Sequence, residues 1–118
     1  MQTASDLYRF GNARRPREAR IPPDLYPDAD GIAGPEGGPA PNGLSLYAMP
    51  DTSGLTGHYW RLPMRTELRY GLTVVADGED VGGPRARGHH TLYPSVRMPS
   101  EEFRRLVAAL PWAYAGKL

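Results

Sequence analysis

An α+β fold is predicted by two features of the chain. Short apolar segments, each closed by Gly, Pro, Asp or Asn, occupy most of its length, and a single stretch with helical spacing, Phe103, Leu106, Val107 and Leu110, lies near its end. A third feature limits how regular the rest can be: 14 Gly and 13 Pro in 118 residues commit much of the backbone to turns and loops. The length fits one domain, 1–118, with a single hydrophobic core.

Taken in order, Leu7-Tyr8-Arg9-Phe10 reads as a strand stopped by the turn pair Gly11-Asn12, with Leu7 and Arg9 on one face and Tyr8 and Phe10 on the other. Arg14 to Arg20 is a basic cluster, a helical turn or an exposed arm. Its interruption by Pro16 and Glu18 favours a solvated face. Ile21 to Gly43, rich in Pro, Gly, Asp and Ala, has neither helical nor strand periodicity and reads as a long loop. It either covers a cleft, with Leu25 and Tyr26 as anchors, or is disordered.

Leu44 to Met49 reads as a strand ended by Pro50 and the turn Asp51-Thr52-Ser53-Gly54, and His58 to Leu62 is an aromatic-rich segment of open state. Leu72 to Ala76 has the β-branched content of a buried strand, with Asp77-Gly78 as the turn behind it. A glycine-rich loop, Gly82 to Gly88, carries Arg85 and Arg87 toward a strand beginning at His89. Ser100 has the chemistry of an N-cap, Glu101 and Glu102 suit the positive end of a helix, and Pro111 stops the amphipathic helix that follows. Trp112 and Tyr114 are expected to pack against the same core ahead of a short polar end.

Composition removes several function classes. With 14 basic and 13 acidic residues, the net charge of +1 gives no global attraction to nucleic acid or to an anionic membrane. The lack of cysteine removes disulfides, thiolate metal sites and a cysteine nucleophile. No segment approaches the roughly 18 apolar residues of a membrane span, and the first ten residues lack a signal-peptide run. The chain is therefore expected to be soluble, uncleaved and free of membrane partners, and export would need a machine that requires no cleaved signal.

The candidate chemistry centres on Gly88-His89-His90-Thr91-Leu92-Tyr93-Pro94. Two of the three histidines adjoin here, and alternation along a strand lets only one of them look into a given cleft. No His-Glu-x-x-His or comparable set of converging ligands is present, so no metal is assigned. Asp51 to Thr56 offers hydroxyls and backbone N–H groups to a phosphate or ribose, or is a plain turn that caps a following helix. It has no phosphate-loop lysine. Neither a dinucleotide glycine fingerprint nor Gly-x-Ser-x-Gly occurs. Tyr8, Tyr47, Tyr59, Tyr70 and Tyr93 are spread along the expected strands as packing residues, one or two of which would stack on a nicotinamide or adenine.

Leu7-Tyr8-Arg9, then Leu46-Tyr47 with Pro50-Asp51-Thr52-Ser53-Gly54, then His89-His90-Thr91-Leu92-Tyr93-Pro94 and Met98 before the last helix, occur in one order along nearly the whole chain. In that order they resemble the family of the second type VI secretion-exported effector, small toxins with an ADP-ribosyltransferase-like fold. The resemblance implies a split, twisted antiparallel sheet around an NAD-binding cleft, with a C-terminal amphipathic helix. It also implies an ADP-ribosyltransferase or NAD glycohydrolase that acts in the cytoplasm of a target cell and is neutralised by a cognate immunity protein. The acceptor of the ADP-ribose would be an unnamed macromolecule, or water.

Carried over by position, Arg9, Ser53 and His89 would be catalytic, and Arg9, Tyr47, Thr52, Ser53, His90 and Tyr93 would contact NAD. His90 stands where the family has Tyr. The better-known transferases use Glu-x-Glu, which is absent here: Glu79 and Asp80 fall on a loop, and Glu101 and Glu102 fit the helix start. His89 would then take over as the polar group. Two other classes fit the residues: a ribonuclease toxin with His58 or His89 as base and acid beside Arg85 and Arg87, and a non-enzymatic binding module using the long loop.

Overall fold

A computed structural model describes residues 1–35, 43–78 and 87–118. Strands β1 (Leu7–Gly11), β3 (Leu44–Tyr47), β4 (His58–Leu62), β5 (Leu72–Val75), β6 (His89–Pro94) and β8 (Ala113–Lys117) form one six-stranded sheet. Its order is β5-β6-β3-β1-β4-β8, with every pairing antiparallel. Two short strands, β2 (Ile32–Ala33) and β7 (Met98–Pro99), pair separately, and β7 runs directly into the helix α1 (Ser100–Ala108). The expected antiparallel sheet with a C-terminal amphipathic helix is therefore present.

The sheet has a weak join. β1 and β3 meet at a single register pair, Tyr8 opposite Tyr47. By contrast, β1 and β4 pair from Leu7↔Leu62 to Gly11↔His58, and β3 and β6 from Leu44↔Leu92 to Tyr47↔His89. Two well-paired halves, β5-β6-β3 and β1-β4-β8, thus meet along a seam.

Alternation sorts the side chains as a pleated sheet requires. Leu7, Leu44, Leu46, Leu62 and Leu92 are essentially fully buried and share one core cluster with Leu72, Phe103 and Val107. Leu7 and Arg9 are buried while Tyr8 and Phe10 between and beyond them are half-exposed, as the sequence predicts. On β3, Ser45 and Tyr47 point away from the face that carries Leu44 and Leu46.

Four expectations change. The segment 21–43 is not featureless in its described part: Ala33 pairs with Met98 in the β2–β7 ribbon, and Leu25 is fully buried, as an anchor should be. Residues 36–42 of that segment lie outside the described residues. Ser100 is the first helical residue and not the cap; Pro99 occupies the cap position, and the Ser100 hydroxyl and amide both donate to Gly31 O, at 3.2 and 3.1 Å. No helix follows Asp51-Thr52-Ser53; a 3₁₀ turn over Pro50–Thr52 leads instead to β4. The end of the chain is an edge strand paired with β4 and not a polar tail, and Trp112 joins the core with its indole donating to Val107 O at 2.9 Å.

Candidate functional site

Arg9 crosses the seam. The residue is 6% exposed. Nε donates to Arg17 O at 3.0 Å, Nη1 to Ser45 O at 3.0 Å and Nη2 to Asp24 Oδ2 at 3.3 Å. One planar fork therefore ties β1 to β3, to the basic arm and to the turn before Leu25, a task suited to arginine's fixed donor geometry. Asp24 is shared: Arg20 reaches both of its carboxylate oxygens and also donates its backbone N–H at 2.8 Å.

The charges in this cluster are coupled. Burial pushes the Arg9 pKa down, and the Asp24 carboxylate partly restores it. Burial also acts to raise Asp24, but hydrogen bonds from Arg20 and the charges of Arg9 and Arg20 outweigh it and hold the carboxyl below its ordinary range. Arg20 is raised in turn by its bond to Asp24.

Beside the seam lies a cavity of about 370 Å³ whose walls include Arg9, Arg17, Arg20, Ser45, Tyr47 and Thr56. A second cavity, of about 230 Å³, has Ala19, Val107, Ala108 and Trp112 in its wall. Arg9 and Arg17 belong to both. Among the described residues, Arg15 and Arg17 have no carboxylate partner, and both are exposed.

Behind Ser45 is a buried polar chain. His89, 5% exposed, places Nδ1 2.7 Å from Asp77 Oδ1 and Nε2 3.0 Å from Ser45 Oγ. The Thr91 hydroxyl donates to the other Asp77 oxygen at 2.6 Å. The β3–β6 register produces this arrangement, since Tyr47↔His89 and Ser45↔Thr91 put all four residues on one sheet face. The Tyr47 ring meets the His89 ring edge-on at 5.6 Å.

The residues singled out from the sequence separate into those at the seam and those elsewhere. Arg9, Tyr47 and His89 converge there, His89 through Ser45. Thr52 and Ser53 serve the 3₁₀ turn: Thr52 Oγ1 donates to Met49 O at 3.0 Å, and buried Ser53 donates to Pro50 O at 2.7 Å while accepting from the Leu55 amide at 3.1 Å. His90 lies on the opposite face from His89, its Nδ1 2.9 Å from Gly88 O. Tyr93, opposite Thr73, is absent from the walls of both cavities. His58 pairs with the Tyr114 hydroxyl at 2.8 Å on β4, with β3 and β1 between it and β6. Three strand spacings put about 14 Å between those histidine strands. Glu79, Asp80 and Arg85 lie outside the described residues, and Arg87 is exposed.

Sequence reasoning missed Ser45, Asp77, Asp24 and Arg20. Only Ser45 left a usable signal, a small polar residue alternating with Leu44 and Leu46 next to Tyr47. Comparison with protein-family models, with curated proteins and with solved structures gives no match to this chain.

Proposed function

We propose that the chain is an NAD-consuming toxin of the ADP-ribosyltransferase-like class, with its substrate lying across the β1–β3 seam. The carrying observation is that two cavities both have Arg9 and Arg17 in their walls. A dinucleotide has a doubly charged pyrophosphate between two ring systems. Exposed Arg17 and its neighbour Arg15 offer fork-shaped donors to the pyrophosphate. The cavity beside Val107 and Trp112 suits the adenine end, and the one beside Ser45 and Tyr47 the nicotinamide-ribose end, where a phenol ring can stack.

In this reading the bond between nicotinamide and C1 of its ribose breaks, nicotinamide leaves with the electron pair, and the ribose carbon takes up an oxocarbenium-like charge. Water or a macromolecular acceptor then supplies the new C–O bond and releases a proton. Arg9 would act as a positioning residue, because its donors already hold Arg17, Ser45 and Asp24 in place. The order of sequence motifs supports the remaining parts of the reading: export without a cleaved signal, action in the target cytoplasm and neutralisation by a cognate immunity protein.

Ligand-observed NMR during titration with NAD tests the proposal. Binding and release of free nicotinamide are expected, with Arg17→Ala weakening binding about tenfold and leaving the melting temperature unchanged. Absence of NAD binding by the folded wild-type chain would overturn it.

A further inference from the structure

We propose that Asp77, His89 and Ser45 form a proton relay that makes Ser45 Oγ a nucleophile toward electrophiles carrying an anionic group. The tautomer follows from the partners. Asp77 as a carboxylate can only accept, so His89 Nδ1 carries the hydrogen across the 2.7 Å contact, and Nε2 is left with its lone pair facing the Ser45 hydroxyl at 3.0 Å. The Thr91 hydroxyl donates to the second Asp77 oxygen and fixes the carboxylate. His89 and Asp77 are buried, whereas Ser45 is half-buried and contributes to the wall of the 370 Å³ cavity. The one member of the chain that meets the cavity is thus the one able to attack.

The cavity supplies the substrate class. Arg9, Arg17 and Arg20 stand in the same wall as Ser45, so a phosphate or carboxylate on the substrate would be held close to that residue. In the reaction, a bond forms from Ser45 Oγ to the electrophilic centre and the leaving group departs with its electron pair. The hydroxyl proton passes to His89 Nε2, and Asp77 stabilises the resulting imidazolium. His89 then delivers that proton to the departing group, so water attacking the adduct can give its own proton to Nε2, which returns it to Ser45 Oγ as the bond to the serine breaks. None of these steps requires NAD to be the substrate.

A fluorophosphonate probe followed by peptide mass mapping tests the relay, since attack displaces fluoride and leaves a stable Ser45 adduct. One adduct at Ser45 is expected, lost in Ser45→Ala and formed about a hundredfold more slowly in His89→Gln. Asp77 acts as a positioning residue, and its readout is the pH profile of labelling. Among the described residues, the groups facing His89 are Asp77, the Tyr47 ring and the hydroxyls of Ser45 and Thr91, with Arg9 bound to the Ser45 carbonyl. Asp77→Asn removes the only carboxylate among them and should move the acid limb to lower pH. Should His89→Gln unfold, that profile decides alone. Failure to label Ser45, an unchanged rate in folded His89→Gln, or an unmoved limb in Asp77→Asn would overturn the relay. Nicotinamide release from NAD without Ser45 labelling would overturn it and leave the NAD reading intact; labelling without NAD consumption would do the reverse.

Discussion

Arg9 Nη1 donates to the Ser45 carbonyl oxygen at 3.0 Å, so a side chain makes a link between β1 and β3 where the strands share one register pair. The same guanidinium is neutralised by Asp24. Removal of that carboxylate in Asp24→Ala leaves a buried cation without its partner, which costs about 3–5 kcal/mol. Urea denaturation of the variant should show a loss of this size, a large part of the total for a domain of this length.

Asp24 also sets an acid limit. Its folded pKa lies below the ordinary carboxylate value. The unfolded chain therefore takes up the proton first as pH falls. The stability that Asp24 contributes is complete above the unfolded value of about 3.9 and is lost as pH drops through the lower folded value. Urea midpoints should fall across that window in wild type. In Asp24→Asn they should start lower and change less over the same range.

The two adjacent histidines should respond unequally. His89→Leu leaves Asp77 buried with Thr91 as its remaining hydrogen-bond partner among the described residues, at a cost of about 1–3 kcal/mol. His90→Gln gives up a half-buried contact to Gly88 O and should cost no more than about 1 kcal/mol. Equal losses in thermal melts would contradict the face assignment.

Gly11 is fixed by close approach. A Cβ there would lie 2.4 Å from Arg15 O and 2.6 Å from Arg17 N, both backbone atoms of the basic arm. Gly11→Ala should push the arm away from β1, weaken the Arg9 bond to Arg17 O and destabilise the fold by about 1–3 kcal/mol. Pyrophosphate binding by the same variant, measured calorimetrically, should fall as well, since Arg17 moves with the arm.

Charge alone should distinguish the arm from the buried cluster. Arg15→Gln with Arg17→Gln removes two exposed cations that have no carboxylate partner among the described residues. Inorganic pyrophosphate affinity should drop at least tenfold and lose most of its salt dependence, while the urea midpoint stays put. A matching drop in midpoint would mean that the arginines hold the fold and not a ligand.

Period-two alternation gave the two faces of β1 and the opposite facing of His89 and His90, whereas β5 was readable from its β-branched content. Helical spacing made α1 readable. The β2–β7 ribbon is two residues long on each side, too short to leave a period, and β8 is spread over Ala113, Tyr114, Ala115 and Gly116, which lack strand character without their partner β4. The site was legible only where one residue type stands out. His89 did so, whereas Arg9 was reached only through the family resemblance and Tyr47 as one of five strand tyrosines. Asp24 and Asp77 look like ordinary turn residues, because what marks them is a partner brought close by tertiary pairing: Arg9 for Asp24, His89 for Asp77.

The strand order has a consequence for timing. Apart from β5 and β6, which follow one another, neighbours in the sheet are distant in the chain: β1 must find β4 some 50 residues on, β3 must find β6, and β4 waits for β8 at the far end. No two-residue hairpin joins any of them to start the process. Each of these three pairings closes a long loop before it is rewarded, so the chain belongs among slow folders, in the millisecond-to-second range typical of non-local β topologies, about 1 ms to 1 s. Until the seam closes, both half-sheets expose strand edges at β1 and β3. Any process that delivers this chain unfolded would have to protect those edges for at least that long.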